Sequence, residues 1–125
     1  MAKSNELGKW GEEVAVEYLR KKGYAIRDRN WHIGTTHDID IIATTPDEET
    51  IVFIEVKTRR GEEISTAEDA ITPQKIRNLG RCANAYVKMN NIQHELRFDI
   101  IVIIGNGKEI KTLRHSADAF NPCLL

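Results

Sequence analysis

Asp38-Ile39-Asp40-Ile41-Ile42-Ala43 and Ile51-Val52-Phe53-Ile54-Glu55-Val56-Lys57-Thr58 are two short runs dominated by β-branched residues. Such runs read as strands. Between them Thr44-Thr-Pro-Asp-Glu-Glu-Thr50 is rich in turn formers, so an antiparallel hairpin is predicted. In a strand, residues two apart share a face. Asp38 and Asp40 therefore fall on one side of the first strand, and Glu55 and Lys57 on one side of the second. Charges set among so many isoleucines and valines are costly to desolvate unless they pair or hold an ion. That conflict between pattern and charge marks a candidate functional site.

Outward from the hairpin, the period changes. Leu7, Trp10, Val14, Tyr18 and Leu19 recur at helical spacing, which predicts a helix over 5–22, capped by Ser4 or Asn5 and stopped by Gly23 at its C′ position. Tyr24-Ala-Ile-Arg27 reads as a short strand running into Asn30-Trp31. Residues 58–71 are polar and read as a loop. Thr72-Pro73 predicts the start of a second helix, Thr72 as cap and Pro73 in the first turn, with Ile76, Leu79, Ala83, Tyr86 and Val87 as its apolar stripe. Arg97-Phe-Asp-Ile-Ile-Val-Ile-Ile104 is apolar on nearly both faces, as a central strand would be. Gly105-Asn-Gly107 turns it into a last strand near 108–114, and the tail from His115 has no clear period. The order αβββαββ predicts an α/β fold, a mixed five-stranded sheet flanked by helices, with residues 1–125 as one domain.

Composition fits a globular chain: of 125 residues, 41% are hydrophobic and 30% charged, too apolar for disorder. A net charge of −1 does not advertise a nucleic-acid partner, which would have to be met by a local basic patch. Cys82 and Cys123 are too few for a disulfide framework or a zinc site. No apolar run approaches membrane-spanning length and no secretory signal opens the chain, so a cytoplasmic protein with no membrane partner is expected.

Carboxylate oxygens are hard ligands that suit magnesium or manganese, and such an ion can polarise a phosphoryl oxygen. A neighbouring lysine can stabilise charge developing on the same phosphate. Asp40, Glu55 and Lys57 thus point to phosphodiester chemistry. The triplet Glu-x-Lys alone is unspecific, and Glu109-Ile110-Lys111 is a second copy. That copy follows a tight turn on a polar strand with no acidic strand to face it. Glu12 adds an independent sign: at 100° per residue it falls between Leu19 and Val16, inside the apolar arc, whereas Glu13 and Glu17 lie on the solvated side.

Taken together, Gly8-Lys-Trp-Gly-Glu12-Glu-Val-Ala15, Tyr18-Leu19, Gly23-Tyr24, Arg29-Asn30-Trp31, Asp38-Ile-Asp40-Ile-Ile-Ala43, Val52-Phe-Ile-Glu55-Val-Lys57-Thr-Arg59, Lys75 and Arg97-Phe98-Asp99 resemble the YraN family of bacterial proteins. That family shares the fold of the archaeal Holliday-junction resolvases within the PD-(D/E)xK nuclease superfamily, and the resemblance runs from about Asn5 to Phe120. It implies a restriction-endonuclease-like sandwich. It further implies Asp40 and Glu55 as metal ligands, Lys57 as catalytic lysine, Glu12 as the helix-borne acid that completes the site, and Lys75 as an auxiliary residue. Two departures stand out. The family usually has a glutamate where this chain has Asp38, and the superfamily's proline before its aspartate is Ile39 here.

Arg59, on the Lys57 face, is the best placed substrate contact. Arg60 is close by, and Arg77, Arg81 and Lys88 line one side of the second helix, either as a phosphate-tracking face or as a plain solvated one. His32 and His37 read as surface loop residues, Trp31 as a core anchor, and Asp99 as the partner of a neighbouring arginine or of strand backbone. The expected function is a Mg2+- or Mn2+-dependent endonuclease-like protein acting on DNA, in particular branched DNA. A junction-resolving mode would require a homodimer. The alternatives are a non-catalytic nucleic-acid-binding module or an adaptor in repair or recombination that retains the fold.

Overall fold

The computed structural model describes residues 3–34, 38–61 and 71–122, without the side chains of residues 3–5 and 38. The roles weighed for Asp38 and His37, and the segment 62–70, lie outside the described parts. The elements follow the expected order: α1 Lys3–Lys21, β1 Ala25–His32, β2 Asp38–Thr44, β3 Thr50–Arg59, α2 Pro73–Met89, β4 Glu95–Gly105 and β5 Ile110–Ser116. The strands form one sheet in the spatial order β1-β2-β3-β4-β5. Every neighbouring pair is antiparallel except β3 and β4, which are parallel and joined through α2. The fold is therefore α/β, with a mixed five-stranded sheet and two helices.

Local chemistry sets the helix ends. Gly23 takes φ +93°, and the N–H groups of Gly23 and Tyr24 donate to the carbonyls of Arg20 and Leu19, the Schellman closure expected of a C′ glycine. At α2 the Thr72 hydroxyl accepts from the Lys75 N–H and Pro73 sits in the first turn, where its missing donor is harmless.

The sheet divides the core. Ala15, Val16 and Leu19 of α1 pack on Ile41, Ala43, Val52, Ile54, Ile101 and Ile103. On the opposite face Leu79, Cys82, Ala83 and Tyr86 of α2 pack on Ile39, Ile42, Ile51 and Phe53. Trp31 belongs to this second layer, edge-on to Tyr86 with ring centroids 5.1 Å apart, so it is the core anchor expected. Some details differ from the sequence reading: α1 begins at Lys3, so Ser4 and Asn5 lie inside the helix instead of capping it. β1 is eight residues long, because an edge strand that bulges between Ile26 and Asp28 does not need a clean alternation. β4 is interior but one place off centre, and β3 is the middle strand. His115 lies inside β5, because the strand extends to Ser116 to cover Ile100 and Ile101.

Asp99, fully buried, collects Arg97 (2.8 and 2.9 Å), His115 Nε2 (2.7 Å) and the Asp118 N–H (2.9 Å). His115 Nδ1 then meets the Tyr18 hydroxyl at 2.9 Å, tying α1 to β4 and β5. Burial alone would raise the Asp99 carboxyl, but these hydrogen bonds outweigh it and hold the group below the usual carboxylate range.

Candidate functional site

β2 and β3 pair in register from Thr44↔Ile51 to Ile41↔Ile54 and then separate. The next residue on each strand is an acid, Asp40 and Glu55. Separation leaves the Val56 N–H without a ladder partner, and Asp40 supplies one: its Oδ2 accepts that hydrogen at 2.8 Å. One carboxylate thus caps the fork between the strands, and the other points into it.

Glu55 is 4% exposed. Its Oε2 has Lys57 Nζ at 3.4 Å and Lys75 Nζ at 3.8 Å, whereas its buried Oε1 has no hydrogen-bond partner among the described residues. An unpartnered carboxylate oxygen at this depth is energetically unfavourable and marks a position built for something else to occupy. Asp40 points the same way. Its carboxyl is pushed from the ordinary 3.8 up to about 7, first by burial and then by the charge of Glu55, with Glu12 adding to the rise and Lys75 and the Val56 hydrogen bond opposing it.

Glu12 approaches from α1. Its Oε1 accepts from Asn30 Nδ2 at 3.1 Å and lies 3.8 Å from Arg29, which is bound more closely to Glu13 at 2.9 Å. Gly11 brings the helix this close, because a Cβ there would run into the Thr58 hydroxyl. The resulting cleft of about 530 Å³ is lined by Gly8, Lys9, Glu12, Asn30, Asp40, Glu55, Lys57 and Arg59 among others.

The structure thus brings Glu12, Asp40, Glu55, Lys57 and Arg59 to one cleft, and Lys75 reaches it from α2 through Glu55. Arg77 and Arg81 do not line it. They flank a separate hollow with Gly80 and Pro122, and Arg77 is hydrogen-bonded to Gln74. His32 is exposed at the end of β1, hydrogen-bonded to the Asn30 carbonyl. Asn30 is the contributor without an assigned role in the sequence reading. It takes a positive φ of 52°, which asparagine adopts more readily than most residues, but nothing in the sequence marks that conformation inside a strand.

The donor set fits a hard divalent cation. Two carboxylates on diverging strands offer oxygens to one space, and magnesium commonly takes one or two protein carboxylates and completes its shell with water. Among the described residues no three His, Cys, Asp or Glu side chains form a closed cage, so Asp40 and Glu55 would be the ligands.

The model of the family described as uncharacterised protein family UPF0102 matches residues 11–103, from the glycine that seats α1 to the far part of β4. The chain belongs to the UPF0102 family. UPF0102 proteins of Phocaeicola vulgatus and Flavobacterium psychrophilum are each 43% identical to it, over 122 and 120 residues. These matches cover 98% of both chains in the first case, and 96% of this chain and 98% of the relative in the second. A UPF0102 protein of Syntrophomonas wolfei is 41% identical over 119 residues, covering 94% of this chain and 99% of that one. This family membership agrees with the YraN resemblance drawn from the motifs. No helix among the described residues is long and apolar enough to cross a membrane.

Proposed function

We propose that this UPF0102 chain is a metal-dependent endonuclease-like protein of the PD-(D/E)xK type that hydrolyses phosphodiester bonds in DNA, with branched DNA the favoured substrate. The observation that carries this reading is the fork of β2 and β3, where Glu55 keeps a buried oxygen unpartnered beside an Asp40 that resists ionisation. A magnesium or manganese ion held there by Asp40 and Glu55 would supply Lewis acidity at a phosphoryl oxygen and relieve the repulsion of the two carboxylates.

The side chains around the fork divide the remaining work. Lys57, half-buried beside Glu55, holds a positive charge over the position of the scissile phosphate and stabilises negative charge as it develops on the phosphoryl oxygens. Glu12, held by Asn30, orients an attacking water by accepting a hydrogen bond from it. Arg59 binds a neighbouring phosphate. Lys75 compensates Glu55 from the helix side and ties the α2 N-terminus to the site.

The test is cleavage of labelled junction, flap and duplex DNA in magnesium and in manganese. Wild type should yield a metal-dependent product, and Asp40→Asn combined with Lys57→Ala should not. Equal cutting by that double variant would show the activity to be a contaminant. A second reading, a DNA-binding module without turnover, is favoured by the two ammonium groups on Glu55 Oε2, which already balance much of the site's charge. It predicts salt-sensitive DNA binding with no product in either metal.

A further inference from the structure

Two smaller hollows continue the cleft. One of about 220 Å³ adjoins it at Leu7 and is lined by Glu6, Arg60, Asn106, Gly107 and Lys108. The next, about 390 Å³, shares Arg60 and Asn106 with it and ends at Glu109, Ile110 and Lys111. Shared lining residues, Leu7 and then Arg60 and Asn106, set the three side by side as a track from the carboxylate fork, past the N-terminal half of α1, to the turn between β4 and β5. Lys9, Lys57, Arg59, Arg60, Lys108 and Lys111 line the three, with Glu12, Asp40 and Glu55 in the cleft at the fork and Glu6 and Glu109 in the two outer hollows. Away from the fork, Arg60, Lys108 and Lys111 outnumber Glu6 and Glu109 by one. Of the six, only Lys57 is held in an ion pair among the described residues. Arg59 donates to the Thr58 carbonyl, and the cations left outside ion pairs can meet an extended polyanion.

We infer that the β4–β5 turn, with Arg60 opposite it, is a second contact point for the phosphate backbone of the nucleic acid, and that the groove carries a strand from there to the fork. This rests on the function proposed above and names the path by which the substrate reaches that site. From Glu55 to Arg60 the chain runs roughly 17 Å at 3.3 Å per residue, about half a turn of duplex DNA. The turn therefore grips phosphates distant from the scissile bond and adds affinity without chemistry. Gly107, at φ +95°, lines the middle hollow, with Leu7 no nearer than 4.0 Å to where a Cβ would stand.

The test measures binding of a labelled duplex longer than two helical turns, in EDTA, across a salt series. Arg60, Lys108 and Lys111 are exposed, so Arg60→Gln/Lys108→Gln/Lys111→Gln should fold as wild type. Losing three phosphate contacts should reduce the slope of log K against log salt by about 2.7 and weaken binding about a hundredfold at 0.15 M salt. The charge-keeping variant Arg60→Lys/Lys108→Arg/Lys111→Arg should restore both. A control that removes equal charge elsewhere, Arg20→Gln/Lys21→Gln/Lys22→Gln, should stay within about twofold, since it touches no groove contact. Equal losses from the two neutralised triples, or an unchanged slope in the groove variant, would overturn the assignment. So would a groove that binds polyglutamate but not duplex. The two proposals fail separately. Groove-dependent binding without cleavage removes the nuclease reading alone, and cleavage with groove-independent binding removes this inference alone.

Discussion

Replacing Asp40 by asparagine should make the metal-free protein more stable, by an amount that depends on pH. Asparagine keeps an oxygen to accept the Val56 N–H, so the cap on the fork survives. It removes a carboxylate whose charge the site disfavours. A rise of the Asp40 carboxyl from 3.8 to about 7 corresponds to a penalty of about 4 kcal/mol on the folded state once the group is ionised. Below about pH 4 the carboxyl is neutral in folded and unfolded chains alike, and no penalty applies. Between pH 4 and 7 the unfolded chain gives up its proton first, so wild-type stability falls as pH rises. Above pH 7 the full penalty is present. Because Asp40 and Glu55 share the burden, roughly half of the 4 kcal/mol is the reasonable expectation. Urea unfolding in EDTA, with a slope near 1.5 kcal/mol per molar for a chain this size, should therefore place the Asp40→Asn midpoint about 1–2 M above wild type at pH 8. At pH 4 the two midpoints should coincide. An Asp40→Asn protein no more stable than wild type at pH 8, or a gap equal at both pH values, would refute the argument that a buried Asp40 charge, repelled by Glu55, destabilises the fold.

Manganese should raise the unfolding temperature of wild type, with about 2.7 kcal/mol of stabilisation at a hundredfold excess over Kd. Glu55→Gln should abolish that rise, and a retained shift would remove Glu55 from the ligand set. Gly11→Ala should lower stability by about 1–3 kcal/mol by forcing α1 away from Thr58. Adding Thr58→Ala should recover part of the loss in a thermal melt, and additive losses would show the two residues not to be in contact. Asp99→Asn should cost about 3 kcal/mol near neutrality, because Arg97 and His115 lose a buried anion. Since the folded Asp99 carboxyl lies below its unfolded value, its contribution is present above about pH 4 and lost as pH falls. The acid limb of the stability curve should accordingly flatten in Asp99→Asn, as read by circular dichroism.

The hairpin and both helices were legible in the sequence because each carries a period or a cap that no competing structure satisfies. Residues 38–44 and 50–59 could hardly be anything but strands, and Thr72-Pro73 marks a helix start by two independent mechanisms. β1 was truncated in the reading because edge strands tolerate polar residues on both sides. The site was half visible. Alternation and charge were enough to single out Asp40, Glu55 and Lys57, and the helical wheel singled out Glu12. The separation of β2 from β3 was not visible, since it depends on which ladder bond Asp40 replaces, and strand pairing leaves no mark on a single segment. Nor could spacing alone reveal that Lys75 comes within 3.8 Å of Glu55 while Arg77, two residues on, flanks a different hollow.

The parallel pairing of β3 with β4 has a consequence for how the molecule is assembled. Thr50 lies beside Glu95, 45 positions away in the chain, whereas Ile41 and Ile54 meet across a hairpin that closes 13. Closing the longer loop costs about 1 kcal/mol more entropy than closing the shorter one, so the hairpin is expected to zip first. Asp40 and Glu55 are then neighbours before α2 has docked to bring Lys75 toward them. The acids are gathered early with Lys57 alone to balance them, and the second lysine arrives late. Substitutions in the hairpin should consequently change the folding rate, and those on α2 chiefly the unfolding rate.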